Sequence, residues 1–372
     1  MINRHGYSME EIEAALRIKN GTRKVSFRYE LLNRNDLRIG ILDGITNASV
    51  SYGEFRTIKR SATFRLNEYN QRNINFLTDQ IQPWFILHMP QGGTVEWSLG
   101  IFMLESPSRK VVGKIKTRDI GAYDKTLILE QDRFSSRLFI ESGTNFVSAI
   151  VRILNEAGLT KVDITESELV LPADREIGIG VKRREAIHDL LRAINYTSMS
   201  VDEYGYIRAA PYVEPARRPV TIVYSTLKDS ILHPELNESL DIAGRANVFI
   251  RVALNIESGN EFVSVYRNDS ITSPISTVNR GRVITSYEEI ESIANQETLD
   301  NHVRRIALES TSAYSHLTFD TALIPIHGSA ETLLCDFPDM FDSPTRFSET
   351  SWEMQLSFDG VMNHEARRVI SL

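Results

Sequence analysis

Apolar and polar residues alternate with period two in Val25-Ser26-Phe27-Arg28-Tyr29-Glu30-Leu31 and in Ala62-Thr63-Phe64-Arg65-Leu66, the pattern of half-buried antiparallel strands. Asp43-Gly44 and Tyr52-Gly53 supply turns between them. The runs Trp84 to Met89 and Glu96 to Leu104, joined by Pro90-Gln91-Gly92-Gly93, predict a hairpin, so residues 22–131 read as an all-β barrel or sandwich. Ahead of them, Ser8 followed three positions later by Glu11 is a capping box. The short helix it starts has Ile12, Leu16 and Ile18 as its only sizeable apolar residues, so residues 1–21 are expected to dock as an arm on a neighbour.

The period then changes. Phe146, Ile150, Ile153 and Leu154 fall on one helical face, and Gly158 suits the left-handed position that closes the helix. A second helix places Ile187, Leu190, Leu191 and Ile194 together, and strands over Thr197 to Val201 and Tyr206 to Ala210 complete a small α/β unit over 132–213. Residues 214–219, with Pro215 and Pro219, read as a linker. Strands resume at Val220 to Tyr224 and Asn247 to Leu254. Ser286 and Glu289 form another capping-box pattern, with Leu299, Val303, Ile306 and Ala307 at helical spacing beyond it. Residues 220–372 therefore read as a second β barrel carrying an amphipathic helix, and the fold class is α+β, mainly β.

The 372-residue length fits two or three domains, and 42% hydrophobic with 24% charged residues is ordinary globular composition. A net charge of -7 argues against a dedicated duplex-binding protein. The pairs Arg183-Arg184, Arg217-Arg218, Arg304-Arg305 and Arg367-Arg368 are scattered and read as solvated surface. Cys335 is the single cysteine, which excludes an intramolecular disulfide and any multi-thiolate zinc site; its context predicts a buried strand position. No leader-like apolar region and no window of about 18 apolar residues is present, so a chain folded in the cytosol without a membrane span is expected.

No pattern carries catalysis. The eight histidines contain no HxH or HExxH, His302 has no second histidine one turn away, and His188 falls on the polar side of its helix. Asp336, Asp339 and Asp342 lack the calcium-loop pattern, and Gly178-Ile179-Gly180 lacks the third glycine of a dinucleotide fingerprint. Trp84, Trp97 and Trp352 sit in apolar strands and read as core, although exposed they would stack on sugars. The expectation is a non-enzyme with no catalytic, cofactor or metal site. Interaction surfaces are the better candidates: strand edges that need covering, and the polar loop Asn268 to Arg282 with Arg267, Arg280 and Arg282, facing a lumen, a neighbour or solvent.

The run Val95-Glu96-Trp97-Ser98-Leu99-Gly100-Ile101-Phe102-Met103-Leu104-Glu105-Ser106-Pro107-Ser108-Arg109-Lys110 resembles the hairpin of tail hub (baseplate hub) proteins from phages of Gram-positive hosts. Ser273-Pro274-Ile275-Ser276, Arg280 to Ile284, Thr350 to Leu356 and Met362 to Val369 are similar to the same group, in the same order. The resemblance implies two tail-tube-like β-barrel domains with an intervening small α/β domain. It further implies a homotrimeric virion protein at the tail tip that adapts a six-fold tube to a three-fold tip and helps close the lumen. The partners it implies are the tail tube or distal tail protein, the tape measure protein and a tip fibre or spike, with genome DNA only in transit. Hub proteins often continue into a peptidase, lysozyme-like or fibre-like extension. This sequence stops at Leu372, so wall-degrading activity is expected on a separate protein. A carbohydrate- or receptor-binding tail component is the alternative.

Overall fold

A computed structural model describes residues 6–17, 22–68, 74–227, 230–241, 244–255, 260–290, 293–312 and 315–369. With 44% strand and 18% helix, the mainly β expectation holds.

Helix α1 (Met9–Leu16) starts with the predicted capping box: Ser8 Oγ accepts from the Glu11 amide at 3.3 Å, and Glu11 accepts from the Ser8 amide at 2.8 Å. Its neighbour is its own chain, since Ile12, Ala15 and Leu16 are buried in the main β core and Arg17 donates to the Val223 carbonyl at 2.6 Å. Ile18 lies outside the described residues.

Eight strands follow: β1 (Lys24–Leu32), β2 (Arg38–Ile41), β3 (Ile45–Gly53), β4 (Arg60–Asn67), β5 (Gln80–His88), β6 (Thr94–Ser98), β7 (Phe102–Val112) and β8 (Ile115–Tyr123). The run expected as one strand over 96–104 is broken at Gly100, whose φ is +136°. A Cβ there would stand 2.6 Å from Phe102 Cζ, so only glycine fits. The break lets β6 pair with β5 while most of β7 pairs with β8.

The α/β unit comprises α2 (Thr126–Gln131), β9 (Leu138–Ile140), α3 (Phe146–Glu156), β10 (Val162–Ile164), β11 (Arg175–Ile177), α4 (Arg183–Ala193), β12 (Ser200–Val201) and β13 (Ile207–Ala209). Asn145 caps α3 by accepting from the Ser148 amide at 3.0 Å, and Gly158 closes the helix at φ +79°. Phe146, Ile150, Ile153 and Leu154 of α3 and Ile187, Leu190 and Leu191 of α4 fill a core of its own. Each contributes about 1.5–3 kcal/mol by leaving water. The 214–219 segment is bonded into place: Glu214 pairs with Arg304 at 2.6 Å, and Arg218 donates to the Ala330 carbonyl at 3.2 Å.

The last region contains β14 (Ile222–Ser225), β15 (Leu232–Leu240), β16 (Val248–Asn255), β17 (Asn260–Arg267), α5 (Thr277–Arg280), β18 (Thr285–Ile290), α6 (Gln296–Ser312), β19 (Ser315–Ala322), β20 (Thr332–Asp336), β21 (Thr345–Gln355) and β22 (Val361–Arg368). The helix expected from Ser286 and Glu289 is instead strand β18, which pairs in parallel with β16. The helix begins one segment later, where Asn295 Oδ1 accepts from the Thr298 amide at 2.8 Å. Six backbone partners in β16 outweigh a local capping pattern. Leu299, Val303 and Ala307 of α6 do share a buried face, packed on Phe249 and Ala253 of β16.

The two β regions are continuous. β21 pairs antiparallel with β3, opposing Trp352 to Tyr52, whose rings stack at 6.1 Å. One fourteen-stranded sheet results, in the order β15-β19-β22-β21-β3-β4-β8-β7-β5-β1-β2, with β6 on β5, β20 on β21 and β14 on β20. Its core draws on both halves, from Phe64, Phe85 and Phe102 to Phe319, Phe347 and Met354. Among the described residues this path is open, ending at β15 and β2, where two closed barrels were expected.

Candidate functional site

Beside the β21–β3 junction the fold brings together three groups that lie far apart in sequence. Glu349 sits on β21 in inward phase with Phe347, just before the bulge at Glu349/Ser351. His364 sits on β22 between inward Met362 and Ala366, and His327 lies in the loop between β19 and β20. All three side chains are at most 1% exposed. Nδ1 of His327 lies 2.6 Å from one Glu349 carboxylate oxygen, and Nδ1 of His364 lies 2.7 Å from the other. Each carboxylate oxygen thus accepts from one ring Nδ1–H, and each Nε2 faces a hydroxyl. The Tyr224 hydroxyl stands 2.8 Å from Nε2 of His327, and Thr321 Oγ1 2.9 Å from that of His364.

Burial alone would push the Glu349 carboxyl up, but the charge and hydrogen bond of His327 and the bond from His364 outweigh it and hold the group near about 2. Burial pushes His364 down, so that ring is neutral, and pushes the Tyr224 phenol far up, so it remains a donor. The two histidines and the glutamate resemble a metal-ligand set. Their closest atoms, however, stand at 2.6 and 2.7 Å, whereas two atoms ligating one zinc ion are about 3.3 Å apart by tetrahedral geometry. All four ring nitrogens already have partners, so the cluster acts as a saturated hydrogen-bond network tying four strands and a loop together.

Glu349 also forms part of the wall of a cleft of about 380 Å³ between the β body, α4 and α6. The four arginine pairs expected as scattered solvated surface each send at least one member here: Arg184, Arg218, Arg305, Arg367 and Arg368. Arg56 and Lys59, from the β3–β4 connection, join them. Lys59 is neutralised by Glu54 at 2.8 Å, Arg184 by Glu130 at 2.6 Å and Arg305 by Glu309 at 2.8 Å. Arg56, Arg218, Arg367 and Arg368 have no carboxylate within ion-pair distance among the described residues. Arg367 stacks on Phe55 at 4.2 Å, and its Nε is buried without a hydrogen-bond partner. Burial and the nearby Arg245 push Arg367 below the usual guanidinium range.

The other sequence candidates stay apart. Cys335 is buried on β20, and burial drives its thiol far up. His302 is buried on α6 and His188 is exposed on α4. Asp339 and Asp342 are exposed, while Asp336 accepts from Ser225 at 3.3 Å. Gly180 turns at φ +85° before α4. Trp97 and Trp352 are buried, as read, and Trp84 is half-buried beneath Arg28. In the 268–282 loop, Asn268, Ser273 and Ser276 are buried, Arg267 pairs with Asp269 at 2.9 Å and Arg280 donates to the Arg245 carbonyl at 2.7 Å; Arg282 is exposed. Sequence reasoning missed the His327–Glu349–His364 set. The phase of Glu349 with Phe347 and of His364 with Met362 and Ala366 is a signal that could have found two of its members.

At the level of sequence, no family profile and no curated protein matches. Solved structures do. The tail protein from Neisseria meningitidis superposes with a TM-score of 0.66 at 9% identity, over 92% of this chain and 97% of that one. The 43 kDa tail protein of prophage MuSo2 from Shewanella oneidensis gives 0.66 at 9% identity, over 92% and 98%. Prophage tail protein gp18 from Listeria monocytogenes gives 0.58 at 10% identity, over 91% and 94%. The resemblance to phage tail proteins is therefore borne out in the fold.

Proposed function

We propose that this chain, which has the fold of phage tail proteins along nearly its whole length, is a structural virion protein acting as the homotrimeric hub of the tail tip. That near-complete correspondence, covering 92% of this chain and 97–98% of two tail proteins, is the observation that carries the reading. In it, 22–131 and 220–372 serve as the two tube-like units, 132–213 as the covering α/β unit, 1–21 as an arm and 214–219 as the linker.

The open sheet supports a ring. Its path ends at β15 and β2, which carry the exposed apolar residues Leu240 on one and Ile39 and Ile41 on the other. Two different edges meeting head to tail around a three-fold axis would cover both and close the sheets between subunits. Tail tube or distal tail protein would sit above the ring, tape measure protein within it and a fibre or spike below it, with DNA passing through. The role is geometric and non-enzymatic, converting six equivalent sites to three and closing the lumen. Buried Trp97 and Trp352 cannot serve as sugar platforms, which disfavours the carbohydrate-binding alternative.

Light scattering of the purified chain over a concentration series tests the reading. A mass near three times 42.3 kDa is expected, with three-fold rings in electron micrographs. A monomer that also fails to form rings on isolated tail tubes would sink it.

A further inference from the structure

The cleft holds a cationic surplus that the chain does not neutralise, although the chain as a whole carries a net charge of -7. Three of its basic groups have carboxylate partners, and four guanidinium groups, from the β3–β4 connection, the 214–219 segment and β22, have none among the described residues. Charged groups scattered over a surface are separately hydrated and need no partner. These four converge on one concave site with part of one guanidinium removed from water: Arg367 Nε is buried and unbonded. A donor buried without an acceptor costs free energy that a ligand acceptor would recover.

We infer that this cleft is the docking site for an acidic polypeptide segment of a neighbouring tail chain, whose carboxylates are held by Arg56, Arg218, Arg367 and Arg368. The identity of that neighbour as a tail chain rests on the proposed hub role; the chemistry of the cleft does not. Carboxylates match the planar fork of guanidinium, and Arg367, stacked on Phe55, is braced for such a contact. The walls also carry apolar Met199, Leu308 and Val369, which suit the aliphatic or aromatic residues of a peptide. A nucleic acid fits less well. A volume of about 380 Å³ cannot take a duplex, and the apolar part of the wall offers an unbroken phosphate chain no partner, while it suits a peptide whose carboxylates are spaced by apolar residues.

The test uses the full chain at low salt with two fluorescein-labelled probes, observed by anisotropy: a peptide of glutamates interspersed with leucine and glycine, and an oligothymidylate of equal length. Saturable binding of the peptide is expected, with the oligothymidylate weaker. Arg367→Gln and Arg368→Gln should each weaken peptide binding about ten-fold, the scale of one charge-assisted hydrogen bond. Arg56→Gln, on an exposed side chain, should do the same with an unchanged melting temperature, which separates lost contact from lost fold. Absence of peptide binding, retention of full affinity in all three variants, or tighter binding of the oligothymidylate would each overturn the proposal. Mass measured on the same samples keeps the two readings apart. A trimer that ignores the peptide defeats only the docking site, and a monomer that binds it defeats only the hub.

Discussion

Nδ1 of His327 lies 2.6 Å from the carboxylate of Glu349, inside a core where neither side chain is more than 1% exposed. The bond joins a loop to a strand, and the same carboxylate reaches His364 on the next strand at 2.7 Å. The network thus fixes β21 and β22 where the sheet passes from one half of the chain to the other.

Removing the shared acceptor leaves two buried N–H groups without a partner. Glu349→Ala is expected to lower the unfolding free energy by about 3–5 kcal/mol, as for a broken buried pair. Glu349→Gln, which keeps one carbonyl acceptor, should cost less. Denaturant unfolding of the two variants measures this, and equal losses would show that the hydrogen bonds do not set the cost.

Acid should destabilise the protein in two stages. His364 and His302 are held below the ordinary imidazole value of 6.5, His302 at about 3, in each case first by burial; for His302 the neighbouring Arg192, Arg305, Arg251 and His188 add to it. Their folded forms therefore refuse protons that the unfolded chain accepts. The stability they contribute is complete above pH 6.5 and declines as pH falls below it. Glu349, at about 2 against an ordinary 4.5, adds a second decline below pH 4.5. Each proton gives a slope of about 1.4 kcal/mol per pH unit. Melting temperatures measured from pH 8 to pH 3 should fall in that order, and a flat profile between pH 6.5 and 5 would contradict the histidine assignment.

Gly100→Ala places a Cβ in a left-handed region and against Phe102. The combined backbone and overpacking cost is about 2–4 kcal/mol. Thermal melting of the variant reports it, and an unchanged melting temperature would mean that the break between β6 and β7 is not built on this glycine.

The start of α6 can be located by two alanine substitutions. Asn295→Ala removes the cap and should cost about 1 kcal/mol. Glu289→Ala alters an exposed strand residue and should stay within about 0.5 kcal/mol. The reverse ranking would restore the helix start to the Ser286 pattern.

Short-range chemistry accounts for what was legible in the chain. Alternation gave β1 and β4, the apolar run Trp84 to Met89 with its glycine turn gave β5, helical spacing closed by Gly158 gave α3, and the Ser8–Glu11 box gave α1, because each depends on residues close together in the chain. The Ser286–Glu289 pattern misled for the complementary reason: β16, some 40 residues earlier in the chain, supplies a backbone partner that local capping cannot match. The break at Gly100 likewise depends on Phe102 and on the separate partners of β6 and β7.

The sequence by itself determined a mainly β chain with helices α3 and α4 between its two β regions and a buried lone cysteine, since periodicity and turn chemistry are written along the backbone; the likeness to phage tail proteins rested instead on the resemblance of residue runs, and the fold bears it out. Only the tertiary structure decided that β21 would join β3 and merge the two β regions into one sheet. It also decided that Glu349 would take up His327 and His364, and that arginines spread from Arg56 to Arg368 would face one cleft. Pairings between distant segments are set by which strands meet across the core, and no pattern confined to one stretch of chain records that choice.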